Sequence, residues 1–178
     1  LKNGEVDEKD FMDRAKLLCS LGHTVLLSDY KEYHKLVSYF SEYTTERSGL
    51  TMGVNNFIQI FDEHYYDDID GGILEAFGKM FHNKLKVYLY PQKDSNSNEI
   101  ITSNNLKLHP RMKEFYKFFK YNGKVVDIFD FNQDYLSIFS REILAMIKAG
   151  ENGWKDKLPK GIAEMIIADK MFGWKGKK

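Results

Sequence analysis

Two runs constrain this chain more than any other feature: KLKVYLYP at residues 84–91 and KVVDIFDF at 124–131. Each is short, rich in β-branched and aromatic residues, and bounded by turn or charged residues, which is how a buried strand reads. Between them lies RMKEFYKFFKYNG, a stretch of helical period opened by Pro110 and closed by Gly123. Strand, helix and strand in that order imply a parallel pair joined by a crossover. The alternation extends upstream, where HTVLLSD (23–29) and SGLTMGV (48–54) read as two further strands. NNFIQIFDEHYYDDIDGGILEAFGKMF reads as two helical pieces broken at Gly71 and Gly72. The expected fold is α/β, a mostly parallel sheet flanked by helices in a Rossmann-like three-layer arrangement. The expected domain is single, spanning 1–178, with residues 133–178 as a C-terminal helical extension packed on it.

Capping signals refine the boundaries. VDEKDFMDRAKLLCSLG reads as a helix capped by Asp7 and stopped at Gly22, with Phe11, Ala15, Leu18 and Cys19 on its apolar face. Asp29 is placed to cap the next helix, in which Tyr33, Leu36, Val37 and Phe40 form one stripe. QKDSNSNEIITSNN is a polar loop able to carry a small hairpin. Asp134 is placed to cap the helix of IFSREILAMIKAG, which would bury Ile138, Phe139, Ile143, Met146 and Ile147. KGIAEMIIADKMFG supplies the closing helix.

Charge excludes some partners. The chain carries 26 basic and 26 acidic residues, so no global field draws it to nucleic acid or an anionic membrane. No apolar run approaches the roughly 20 residues of a membrane span, and no leader pattern is present. The one cysteine, Cys19, reads as a buried thiol of a reducing compartment, and the cytoplasm is the expected location. The chain begins at Leu1 rather than Met, and the expectation is a domain excised from a longer protein, with the upstream part of the same polypeptide as a partner. A homo-oligomer is compatible with this composition.

In an open parallel sheet, ligands bind beyond the carboxyl ends of the strands. That rule selects Ser28, Asp29 and Tyr30, then Asn55 and Asn56 beside Gly53, then Lys93 with Tyr90 and Gln92, and Asp127 with Asp130. Asp29 and the two asparagines also suit helix starts. No metal is expected. Counting a calcium loop from Asp67 puts Ile69 at the third place and Gly78 at the twelfth, and the five histidines are scattered. Neither a Gly-x-Gly-x-x-Gly nor a Walker sequence occurs. EFYKFFKY, with Phe115, Phe118 and Phe119, reads as a core helix edged by lysine stems.

The segment SIFSREILAMIKAGENGWKDKLPKGIAEMI, residues 137–166, resembles the C-terminal end of bacterial nicotinate-nucleotide and pantetheine-phosphate adenylyltransferases. Ile138, Ser140, Gly150, Leu158, Pro159 and Ile166 fall in that family's order. Phe139, Arg141 and Leu144 stand where the family has serine, threonine and arginine, and its His-x-Gly-His element is not found. The resemblance implies nucleotide binding, with ATP as donor and magnesium accompanying it. Ser140 would then donate to phosphate, and Arg141 would replace the family's arginine one turn early. With Asp134 as the cap, Ser140 would lie two turns inside its helix. The alternative is a non-catalytic interaction or accessory domain of a larger bacterial protein.

Overall fold

The computed structural model describes residues 7–30, 32–82, 84–94 and 96–176. They form two compact units, one within Asp29–Ser137 and one combining Leu1–Ser28 with Ile138–Lys178. The strands are β1 (Gly49–Gly53), β2 (Lys86–Tyr90), β3 (Gln92–Lys93), β4 (Ile100–Ile101) and β5 (Val125–Asp127). The helices are α1 (Glu8–Ser20), α2 (Tyr33–Tyr43), α3 (Val54–Gln59), α4 (Gly72–Phe81), α5 (Lys113–Tyr121), α6 (Ser140–Ala149) and α7 (Ile162–Ala168).

The Asp29–Ser137 unit is built on a parallel sheet of order β1-β2-β5, flanked by helices. Its register places Leu50, Val87 and Val125 in one row and Met52, Leu89 and Asp127 in the next, all on one face. Val87 and Leu89 are fully buried there, while Lys86 and Tyr88 on the opposite face are exposed. The order explains the asymmetry. Strands added successively in one direction, each through a right-handed crossover, place every connection on the same side. Accordingly Phe57 of α3, Phe77 of α4 and Phe119 of α5 share one core with Val87 and Leu89. Rings in this core meet mostly edge to face, as Phe77 and Phe119 do at 5.0 Å, the geometry favoured by the aromatic quadrupole. Each fully buried Phe contributes about 1.5–3 kcal/mol from removal of apolar surface. In the polar loop, β3 and β4 pair as the expected hairpin.

Several sequence expectations give way here. Residues 23–29 form no strand, and Leu26 and Leu27 are exposed. An apolar run becomes a strand only when a neighbour supplies hydrogen bonds, and none pairs with it in the described sheet. Asp29 does not cap α2. The N-cap is Glu32, without a side-chain bond. Phe40 and Phe118 fall outside the core, at 41 % and 61 % exposure.

The second unit packs Ile143 and Ile147 of α6, Ile162 and Ile166 of α7, Met171 and Trp174 around a fully buried Trp154. Asp7 caps α1 as expected, accepting from the Asp10 amide at 3.1 Å. Yet α1 buries no residue, and Cys19 is exposed rather than buried. The helix packs Leu17 against the core of its unit and adds polar contacts: Lys16 pairs with Asp169, and Asp13 accepts the Phe172 amide at 3.3 Å.

Candidate functional site

Two places answer to the sequence expectations. The first is the carboxyl rim of the sheet. Asn55 and Asn56 are exposed on the first turn of α3, which has no side-chain cap. Lys93 is half-buried in β3. Asp127 turns back into the protein: Oδ1 accepts the Ser103 amide at 2.8 Å and Oδ2 the Ser103 hydroxyl at 2.6 Å. The Ser103 carbonyl in turn accepts from the Tyr116 hydroxyl at 2.6 Å and from Lys120 at 2.8 Å. Burial pushes the Tyr116 phenol up to about 12, against the pull of its bond to Ser103. This hub was not legible in the sequence, because Ser103 sits in a polar loop 24 residues from Asp127. The monotonic strand order also matters. A crevice of the open-sheet type arises where the order reverses, and β1-β2-β5 has no reversal.

The second place is the start of α6. Asp134 does not cap this helix. It belongs to a separate 3-10 turn, Gln133–Ser137, where its amide donates to Asn132 Oδ1 at 2.9 Å. Phe139 is the N-cap and offers no side-chain bond, so Ser140 and Arg141 occupy the first turn of α6 instead of its interior. The first-turn amides there have no side-chain acceptor. Gly150 closes the helix in the left-handed conformation at φ 72°, a position that disfavours any residue with a Cβ.

Beside this helix start lies a cavity of about 490 Å³. Ile143, Ile147, Leu158, Ile162 and Ile166 give it apolar walls, and Ser140, Arg141 and Arg14 give it polar groups. Arg14 is held by Asp10 at 2.7 Å and lies over the Phe172 ring at 5.6 Å. Phe172, also on the cavity wall, has φ 53°. A bulky residue in the left-handed region is strained, and its neighbours Asp13 and Arg14 hold it there. Arg141 forms no ion pair among the described residues.

The remaining candidates scatter. Ser28 and Asp29 are exposed in the irregular stretch after α1. Tyr30 lines a different cavity, beside α2. A feature that sequence reasoning missed is a groove of about 550 Å³ at the amino ends of the strands, lined by Arg47, Lys84, Lys86 and Lys124 and by no carboxylate among the described residues. Its basic residues come from three separate parts of the chain and cancel against acids elsewhere in the overall charge. Among the described residues, no helix is long and apolar enough to cross a membrane, and no group of His, Cys, Asp or Glu is arranged to hold a metal ion. No protein-family model, curated protein or solved structure matches the chain.

Proposed function

We propose that the chain is a nucleotide-binding α/β protein of the nucleotidyltransferase type, with its ligand held at the start of α6. The observation that carries this reading is the coincidence of an uncapped helix start, Ser140, Arg141 and an apolar cavity. Small-molecule sites combine apolar walls with a few placed polar groups. Free amides at a helix N-terminus, beside an arginine that forms no ion pair among the described residues, suit a phosphate, and the apolar wall suits a base. Magnesium would enter with ATP, carried by the triphosphate. With no His-x-Gly-His element, the role supported is binding rather than turnover. A Rossmann-like three-layer arrangement belongs to the same reading and requires cover over the sheet face that carries Lys86 and Tyr88.

Calorimetric titration with ATP and nicotinate mononucleotide in the presence of magnesium tests it. Saturable heat, weakened about tenfold by Arg141→Ala, is the expected result. The absence of heat at about 1 mM ligand overturns it.

A second reading, a non-catalytic interaction domain, is favoured by the basic groove. Arg47, Lys84 and Lys86, which line the groove together and form no ion pair with an acid among the described residues, suit an anionic partner, and Tyr88 stands exposed among them. Under this reading tripolyphosphate binds with a steep salt dependence that Lys84→Ala with Lys86→Ala reduces. Binding insensitive to salt and to both substitutions rejects it.

A further inference from the structure

A cavity of about 610 Å³ opens beside α2, between that helix, the turn at residues 68–70 and α4. It shares no residue with the α6 site. Its walls carry two lysines against four carboxylates, and both lysines are already engaged. Lys35 pairs with Glu32 at 3.2 Å, and Lys79 pairs with Glu75 at 2.5 Å. The Glu75 carboxyl is held below its usual range, first by Lys79 and then by the Gly71 amide at 3.0 Å. Three carboxylates, Glu42, Asp68 and Asp70, make no ion pair among the described residues.

Two further observations point to a ligand. Tyr30 and Tyr39 both line the cavity, their ring centroids 5.6 Å apart and the planes inclined at 44°. Inclined tyrosine rings beside carboxylates are the surroundings that attract an ammonium group, through the negative ring face and the opposite charge together. The wall also holds His34, which is only 6 % exposed and whose Nδ1 has no hydrogen-bond partner among the described residues. Buried polar side chains are nearly always satisfied, and this one is not satisfied by the described residues. Burial holds the ring below its ordinary pKa, and a neutral imidazole keeps a lone pair.

We infer that this cavity binds a small organic dication of the alkyl-diamine class, one ammonium lying against the tyrosine rings and both neutralising the unpaired carboxylates. The volume fits a small molecule rather than a bare ion. Among the described residues, no trio of His, Cys, Asp or Glu is arranged for a metal, whereas flexible ammonium groups reach carboxylates that do not converge. The engaged lysines do not repel such a ligand strongly, because each is already neutralised by its glutamate.

The test is titration of the full chain with diaminobutane at about 0.15 M salt, where exposed charges are screened beyond roughly 8 Å. Butanediol and succinate, of similar length but neutral and anionic, serve as controls. The expected result is saturable binding of the diamine alone with Kd below about 1 mM, accompanied by a shift of the His34 ring resonances. Asp68→Asn with Asp70→Asn, both exposed, should weaken binding at least about tenfold without moving the melting temperature. Glu42→Gln provides a second variant on the opposite wall, with weakening expected. No saturable response, an equal response to butanediol, or affinity unchanged in all these variants overturns the inference. The nucleotide reading is left untouched by any of these outcomes, since its probe and residues are different.

Discussion

Both carboxylate oxygens of Asp127 close on Ser103, one on its amide and the other on its hydroxyl, at 2.8 and 2.6 Å. Asp127 ends β5 on the buried face of the sheet, in register with Leu89, while Ser103 belongs to the loop after the β3–β4 hairpin. The pair therefore fastens that loop to the end of the last strand. Ser103 is only 4 % exposed, so removing the acceptor strands its amide.

Asp127→Ala should accordingly cost about 3 kcal/mol, the loss of charge-assisted bonds plus the desolvation of an orphaned donor. Ser103→Ala, which keeps the amide bond, should cost about 1 kcal/mol. Urea midpoints measure both, and equal costs for the two variants would contradict this account. Nucleotide affinity, read below the unfolding transition, should be the same in Asp127→Ala as in the parent chain.

At the start of α6, the lack of a side-chain cap can be tested by supplying one. Phe139→Asp places a carboxylate where it can accept from the first-turn amides, a contact worth about 0.5–2 kcal/mol to a helix. The same carboxylate competes with phosphate for those amides. Nucleotide affinity should fall while the α6 amides become better protected from hydrogen exchange. Ser140→Ala should change stability by less than about 0.5 kcal/mol, since the side chain is exposed and no bond depends on it.

What could be read in the sequence divides along physical lines. β2, β5 and the helix between them were legible because period, Pro110 and Gly123 all agree locally. Asp7 was legible as a cap for the same reason. Residues 23–29 were misread because a strand depends on a distant partner, which no local pattern reports. The start of α6 was misread because two capping residues lie close together. Asn132 takes the Asp134 amide and founds a separate turn, and such local side-chain bonds compete with helix extension. The candidate site was legible only in part: Ser140 and Arg141 could be named, but the cavity beside them is made by α1, α6 and α7 together.

Gly49 and Tyr88 form a testable contact at the amino end of the sheet. A Cβ on Gly49 would stand 2.9 Å from Cε2 of Tyr88, closer than non-bonded carbons tolerate. Gly49→Ala should displace this exposed ring and cost about 1 kcal/mol or less. In a Tyr88→Ala background that cost should vanish, giving a non-additive double-mutant cycle. Additive effects would show that the two residues do not touch in solution.

His34 contributes to the acid limb of stability. Burial is the main cause of its lowered pKa, with Lys35 and Lys79 reinforcing it and Glu32 and Glu75 opposing it. Its folded pKa lies below the unfolded value of 6.5, so between the two the unfolded chain binds more protons and stability falls with acidification. The His34 contribution is whole above pH 6.5 and is lost as pH drops from there through the folded pKa. One proton limits the slope to about 1.4 kcal/mol per pH unit. His34→Phe keeps a ring against Tyr66, 5.8 Å away in the parent chain, and removes the titration. Urea melts from pH 7 downwards should therefore show a shallower loss in His34→Phe than in the parent. Parallel curves would assign the acid limb to other groups. Diaminobutane bound in the cavity beside α2 should favour the neutral ring and extend the plateau to lower pH.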